Sequence, residues 1–126
     1  MSLHSTELNS EVDEIAPDGS EIRFLSRTDR ATMVHCTLPC GFCTIPVEHK
    51  TVDEIWYFLT GKGEVWRELE GRREIVVVQK GVSLNVPLHT VFQFKNTGDV
   101  PLEFIIVTLP PWPGDDEAIL RKNYFD

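Results

Sequence analysis

The sequence predicts an all-β domain, an antiparallel sandwich or barrel. Short apolar runs recur at regular spacing, and glycines and prolines separate them. No apolar period of 3.6 residues is found before a short helical turn expected within 115–120. The 126 residues make one domain, large enough to bury a core without disulfide or metal staples.

Residues 1–20 are polar and acidic and end in Pro17-Asp18-Gly19-Ser20, a turn sequence. They are set apart as a flexible N-terminal segment. Strands are predicted over 22–25, 32–38, 43–49, 54–59, 64–69, 74–78, 82–86, 91–95 and 102–108. Glu70-Gly71 reads as a tight hairpin, and Gly61-Lys62-Gly63 as a second hairpin turn rather than a phosphate loop. The domain is thus assigned to 21–108, with 109–126 as a C-terminal tail packed on it. Pro110-Pro111-Trp112-Pro113 can be neither helix nor central strand. Trp112 is its anchor, on the outside of the barrel or at a pocket mouth.

Composition excludes several classes. The net charge of −8 opposes nucleic acid and anionic membrane surfaces. No run is long and apolar enough for a membrane helix, and residues 1–4 do not open a secretory leader. Three cysteines, Cys36, Cys40 and Cys43, fit a reducing cytoplasm. Cys40-x-x-Cys43 has redox or zinc spacing but lacks a second pair, and is read as buried or loop thiols. Ser83 and Asn85 lack the strand–elbow–helix context of a hydrolase nucleophile.

Alternation assigns inward faces. Cys43, Ile45, Val47 and His49 share one, as do Glu54, Trp56 and Phe58, and as do Phe92 and Phe94. His49 and Glu54 are then polar groups in an apolar interior, and each is the expected partner of the other. Three roles are open to them: a structural pair, a ligand anchor, or a general acid and base. Cys43, Ile45, Val47, Trp56, Phe58, Phe92 and Phe94 are the expected pocket wall, suited to a small, mainly apolar or aromatic molecule. The same side chains could instead fill a small barrel.

Two spacings carry a resemblance. Gly41, five residues, Val47-x-His49, four residues, Glu54, six residues and Gly61 form the first. Gly81, five residues, Pro87-x-His89, two residues, Phe92, three residues and Asn96 form the second. Together they resemble the two motifs of the cupin superfamily, over about residues 21–108. The resemblance implies an antiparallel double-stranded β-helix, the jelly-roll or cupin barrel, and a homodimer. In cupins three histidines and a glutamate bind a divalent metal. Here Val47 and Phe92 stand at two histidine positions and His89 at a glycine position, so only His49 and Glu54 carry over. No metal cofactor is therefore expected. Iron, manganese, nickel or zinc would need rearranged ligands, for which His35, His89 and Cys43 are the candidates. The expected function is small-molecule binding in the barrel, anchored by His49 and Glu54. The alternatives are a metal-dependent oxygenase or isomerase with rearranged ligands, and a metal-free isomerase or cyclase with His49 and Glu54 as acid and base.

Overall fold

A computed structural model describes residues 2–125. Eleven strands form among them: β1 (Glu14–Ile15), β2 (Glu21–Arg27), β3 (Thr32–Leu38), β4 (Val47–His49), β5 (Asp53–Thr60), β6 (Lys62–Leu69), β7 (Arg72–Gln79), β8 (Ser83–Val86), β9 (Val91–Asn96), β10 (Leu102–Leu109) and β11 (Ala118–Leu120). All pairings are antiparallel. One sheet runs β1-β2-β3-β10-β5-β8 and the other β11-β4-β9-β6-β7. This is the expected jelly-roll sandwich, its core held between the two inner faces.

Alternation sets which side chains enter the core. Along β5, Glu54, Trp56 and Phe58 are buried while Asp53, Ile55 and Tyr57 are exposed. On β10, Leu102, Phe104, Ile106 and Thr108 are buried. The register places Phe104 opposite Phe58, Ile106 opposite Trp56 and Thr108 opposite Glu54. From the other sheet come Val65, Phe92 and Phe94. The core is aromatic: Trp56 lies 5.4 Å from Phe92, 5.3 Å from Phe94 and 4.8 Å from Phe104, between ring centroids. Such pairs add about 0.5–1.5 kcal/mol each beyond their burial.

The β6–β7 hairpin turns on Glu70 (φ 53°) and Gly71 (φ 79°). Two successive left-handed residues are what a two-residue hairpin with a natural twist requires. Gly61-Lys62-Gly63 does otherwise than predicted. It carries the chain from β5 in one sheet to β6 in the other, so it is no hairpin. A Cβ at Gly63 would lie 2.5 Å from the Lys95 carbonyl oxygen, and one at Gly61 would lie 2.6 Å from that of Pro101. Neighbouring backbone comes too close at both positions for any side chain.

The predicted strand over 43–49 shortens to Val47–His49, with one isolated bridge from Cys43 to Lys95. Pro46 has no N–H to give a ladder. Before it, the Ile45 N–H turns away to the Asp18 carbonyl. Alternation therefore cannot be carried back past Pro46. Cys43 and Ile45 are exposed, and Thr44 and Pro46 are buried instead.

The two terminal segments join the sheets. Glu14–Ile15 pairs with β2, and the Arg23 guanidinium donates to the Asn9 and Ser10 carbonyls. Within the tail, a single 3-10 turn spans Asp115–Glu117, and β11 pairs with β4. Glu117 fastens the tail. Its buried carboxylate accepts from the Thr51 N–H (2.6 Å), the Thr51 hydroxyl (2.7 Å) and the Val52 N–H (3.1 Å). Burial pushes this carboxyl up, but those bonds and the nearby His49 outweigh it and hold it below its usual range. Further on, Gln93 Oε1 accepts from the Tyr124 and Phe125 N–H groups, and Tyr124 stacks on Trp66 at 4.7 Å.

Candidate functional site

A cavity of about 570 Å³ opens between the sheets at the end where the terminal segments converge. Val47 and His49 come from β4, Glu54 and Trp56 from β5, Phe92 and Phe94 from β9, and Ile106 and Thr108 from β10. The N-terminal turn contributes Ala16, Pro17 and Asp18, and the tail contributes Trp112. Alternation aims each strand residue inward, and the cross-strand register brings them to one level.

Of the side chains expected in the wall, Val47, Trp56, Phe92 and Phe94 line it together with His49 and Glu54. Three expected wall residues are elsewhere. Cys43 and Ile45 are exposed, for the reason given at Pro46. Phe58 shares the inward face but lies deeper, stacked on Phe104 at 4.5 Å as core.

The expected pairing of His49 with Glu54 is not formed. Glu54 is satisfied within its own sheet: Oε1 accepts from Trp56 Nε1 (2.9 Å) and Oε2 from Thr108 Oγ1 (3.1 Å). Those partners follow from geometry, since residue i+2 shares its face and Thr108 stands directly opposite. His49 belongs to the other sheet and sits among rings, 5.2 Å from Phe92 and 5.2 Å from Trp112. Its Nδ1 is buried without a hydrogen-bond partner. Trp112 thus closes over His49 at the cavity wall rather than anchoring an outer surface.

The cavity is a weakly polarisable enclosure, and it moves both groups toward neutrality. Burial pushes Glu54 up to about 7; the bonds from Trp56 and Thr108 pull it back in part, and the charges of Asp18 and Glu117 raise it further. Burial holds His49 down at about 4, against the raising effect of Glu117. Asp18 is raised as well, again by burial, although its Oδ1 accepts from the Ser20 N–H (2.9 Å) and hydroxyl (2.7 Å).

The donor set does not fit the metal of the resembled motifs. Val47 and Phe92 are cross-strand partners in the β4–β9 ladder, and neither side chain carries a lone pair. The three candidate replacements lie away from the cavity. His35 is buried on β3 with Nε2 3.1 Å from Glu103 Oε1. His89 is exposed in a turn, Nδ1 3.4 Å from Glu48 Oε2. The Cys43 sulfur accepts from Gln93 Nε2 at 3.4 Å. Among the described residues no three His, Cys, Asp or Glu side chains are grouped to hold an ion. His89, at the glycine position of the second motif, has a left-handed backbone, φ 75°, of the kind that favours glycine.

Asp18, Thr108 and Glu117 were not singled out from the sequence. Asp18 lies in a segment read only as a turn. Thr108 reaches Glu54, and Glu117 reaches Val52 beside the site, through pairings 54 and 65 residues long, which no local pattern reports.

The description "Cupin domain" belongs to the family model that matches residues 34–108. Uncharacterized protein MJ1618 of Methanocaldococcus jannaschii is 30% identical over 123 residues, covering 90% of this chain and 95% of its own. Among solved structures, a predicted oxalate decarboxylase from Thermotoga maritima aligns with TM-score 0.66 at 22% identity, over 87% of this chain and 99% of that one. Bacillus subtilis oxalate decarboxylase aligns with TM-score 0.72 at 18% identity, over 88% of this chain and 30% of that one. The Schizosaccharomyces pombe Cnp3 cupin domain gives 0.65 at 16%, over 72% and 64%. The chain therefore spans under a third of the Bacillus enzyme and under two thirds of the Cnp3 chain. At these identities the structural likeness concerns the fold.

Proposed function

The chain belongs to the cupin superfamily, and from that premise we propose that it binds a small, mainly apolar or aromatic molecule in the barrel without a metal cofactor. The observation that carries this reading is the cavity itself. About 570 Å³ is the size of a small-molecule site, and apolar walls with a few convergent polar groups are the usual form of one. His49 and Glu54 are those groups, both in the lining of the cavity. The scattered histidines and the hydrocarbon at positions 47 and 92 support the metal-free part.

The test is ligand binding read by intrinsic fluorescence, since Trp56 and Trp112 both face the cavity. An apolar fluorescent probe is expected to bind and to be displaced by small aromatic compounds. Trp112→Ala, which opens the wall, is expected to weaken binding by about 1–2 kcal/mol, roughly tenfold. A folded protein that takes up no probe would refute the reading.

A metal-free acid/base reaction is the second reading, favoured by one observation. A carboxyl near 7 and an imidazole near 4 in one wall have had their proton affinities exchanged relative to their ordinary order. If a bound compound is turned over, Glu54→Gln should retain binding and lose turnover.

A cytoplasmic homodimer completes the proposal. The free cysteines suit a reducing compartment, and no helix among the described residues is long and apolar enough to cross a membrane. On the outer face of the first sheet, Met33, Val107 and Ile55 stand in one row across β3, β10 and β5, with Tyr57 beside them. Met33, Ile55 and Tyr57 are exposed, and an apolar row of that kind suits a self-complementary interface. Light scattering should give twice the chain mass, and Ile55→Lys with Tyr57→Lys should halve it. A monomeric natural protein at micromolar concentration would count against the dimer.

A further inference from the structure

We propose that the cavity selects its occupant by charge, taking a protonated primary or secondary amine on an apolar or aromatic body and turning carboxylates away. The inference rests on the reading that the cavity holds a small molecule, and adds the class of its head group.

The charges in the wall are one-sided. Glu54 is 6% exposed and receives hydrogen bonds from neutral donors, the Trp56 indole and the Thr108 hydroxyl. Asp18 is held by the neutral Ser20 N–H and hydroxyl. Among the described residues neither carboxyl pairs with a lysine, arginine or histidine. Glu14 and Asp115 stand at the rim, and the wall's one arginine, Arg27, is exposed. An incoming carboxylate would add another negative charge to an enclosure that already suppresses ionisation, which is disfavoured. An ammonium group would instead supply the missing counter-charge and a charge-assisted hydrogen bond to Glu54.

An independent feature points to the same occupant. His49 is also 6% exposed, and its Nδ1 lacks a partner in the wall of this cavity. A neutral imidazole keeps one ring nitrogen as an acceptor, and it adds no positive charge to the wall that would repel an ammonium group. Phe92 and Trp112 pack on that ring, with Trp56 in the same lining, and aromatic rings attract cations while hosting the apolar body.

Calorimetric titration at pH 7.5 with 2-phenylethylamine, 2-phenylethanol and phenylacetate tests the inference, because the three share one hydrocarbon frame. The amine is expected to bind about tenfold tighter than the alcohol, and phenylacetate most weakly. Glu54→Gln should reduce the amine's advantage over the alcohol to about twofold or less. Asp18→Asn should reduce it in smaller measure, and serves if the first variant does not fold. Phenylacetate binding as tightly as the amine, or an amine preference that survives both substitutions, overturns charge selection and leaves the cavity reading standing. Failure of all three compounds to bind overturns the cavity reading and this inference together.

Discussion

The double variant Val47→His, Phe92→His is expected to bind one divalent ion per chain, whereas no saturable binding is expected of the natural sequence. The two positions are cross-strand partners on β4 and β9, and both side chains face the cavity that holds His49 and Glu54. The variant therefore presents three imidazoles and a carboxylate to one space. Four such donors suit zinc, manganese, nickel or iron, whereas two do not. Micromolar affinity would correspond to about 8 kcal/mol. An ion at a hundred times its dissociation constant stabilises the fold by about 2.7 kcal/mol, or roughly 10 °C in melting temperature for a chain of this size. Without ion, the variant should be less stable than the natural protein. Phe92 packs against Trp56 and His49, and a polar ring in that place costs about 1–3 kcal/mol. Thermal shift with and without each ion, backed by elemental analysis, reads both effects. A folded double variant indifferent to all four ions would show that Val47 and Phe92 do not occupy ligand positions. Stoichiometric metal in the natural protein would contradict the metal-free proposal.

The motif spacings that make this prediction possible are local, and local order is what a sequence displays. The nine strands read from the sequence follow from period-two alternation and from turns such as Glu70-Gly71, although β4 keeps only the last three residues of its run. The strands β1 and β11 do not, because two or three residues carry no period and exist only through pairing with β2 and β4. A related limit governs the site. Nearness in sequence suggests that His49 and Glu54 should pair, yet β4 and β5 lie in opposite sheets. The two side chains approach one cavity from different sides, and Glu54 is satisfied within its own sheet through register. Register between β5 and β10 decides that Thr108 meets Glu54, and nothing near residue 54 encodes it. Similarly, the error at Cys43 and Ile45 came from extending a period through Pro46, where the chain has no N–H to keep it.

The opposite displacements of His49 and Glu54 predict opposite pH dependences of stability, each hidden by the other in the natural protein. Glu54 has a folded value of about 7, raised from 4.5. The folded state then binds its proton more tightly than the unfolded state does. Its favourable contribution is complete below about 4.5 and is lost as pH rises through about 7. His49 has a folded value of about 4, lowered from 6.5. Its contribution is complete above about 6.5 and is lost as pH falls through about 4. Both groups are well buried, and each displacement amounts to about 3 kcal/mol at ~1.4 kcal/mol per pH unit. Between pH 4.5 and 6.5 the two slopes oppose, so they nearly cancel. Removing one group exposes the other. In Glu54→Gln, stability should rise with pH across that window by about 1.4 kcal/mol per unit relative to the natural protein. In His49→Phe it should fall by about the same amount. Asp18, raised like Glu54, and Glu117, lowered in part by His49, remain in all three proteins, so differences between variants report mainly the two groups. Urea unfolding at pH 5.0 and 6.5 measures this, with unchanged denaturant slopes as the control for compactness. Parallel pH profiles for the two variants would mean that the cavity does not drive the carboxyl and the imidazole toward their neutral forms, and the electrostatic basis of the acid/base reading would fall with it.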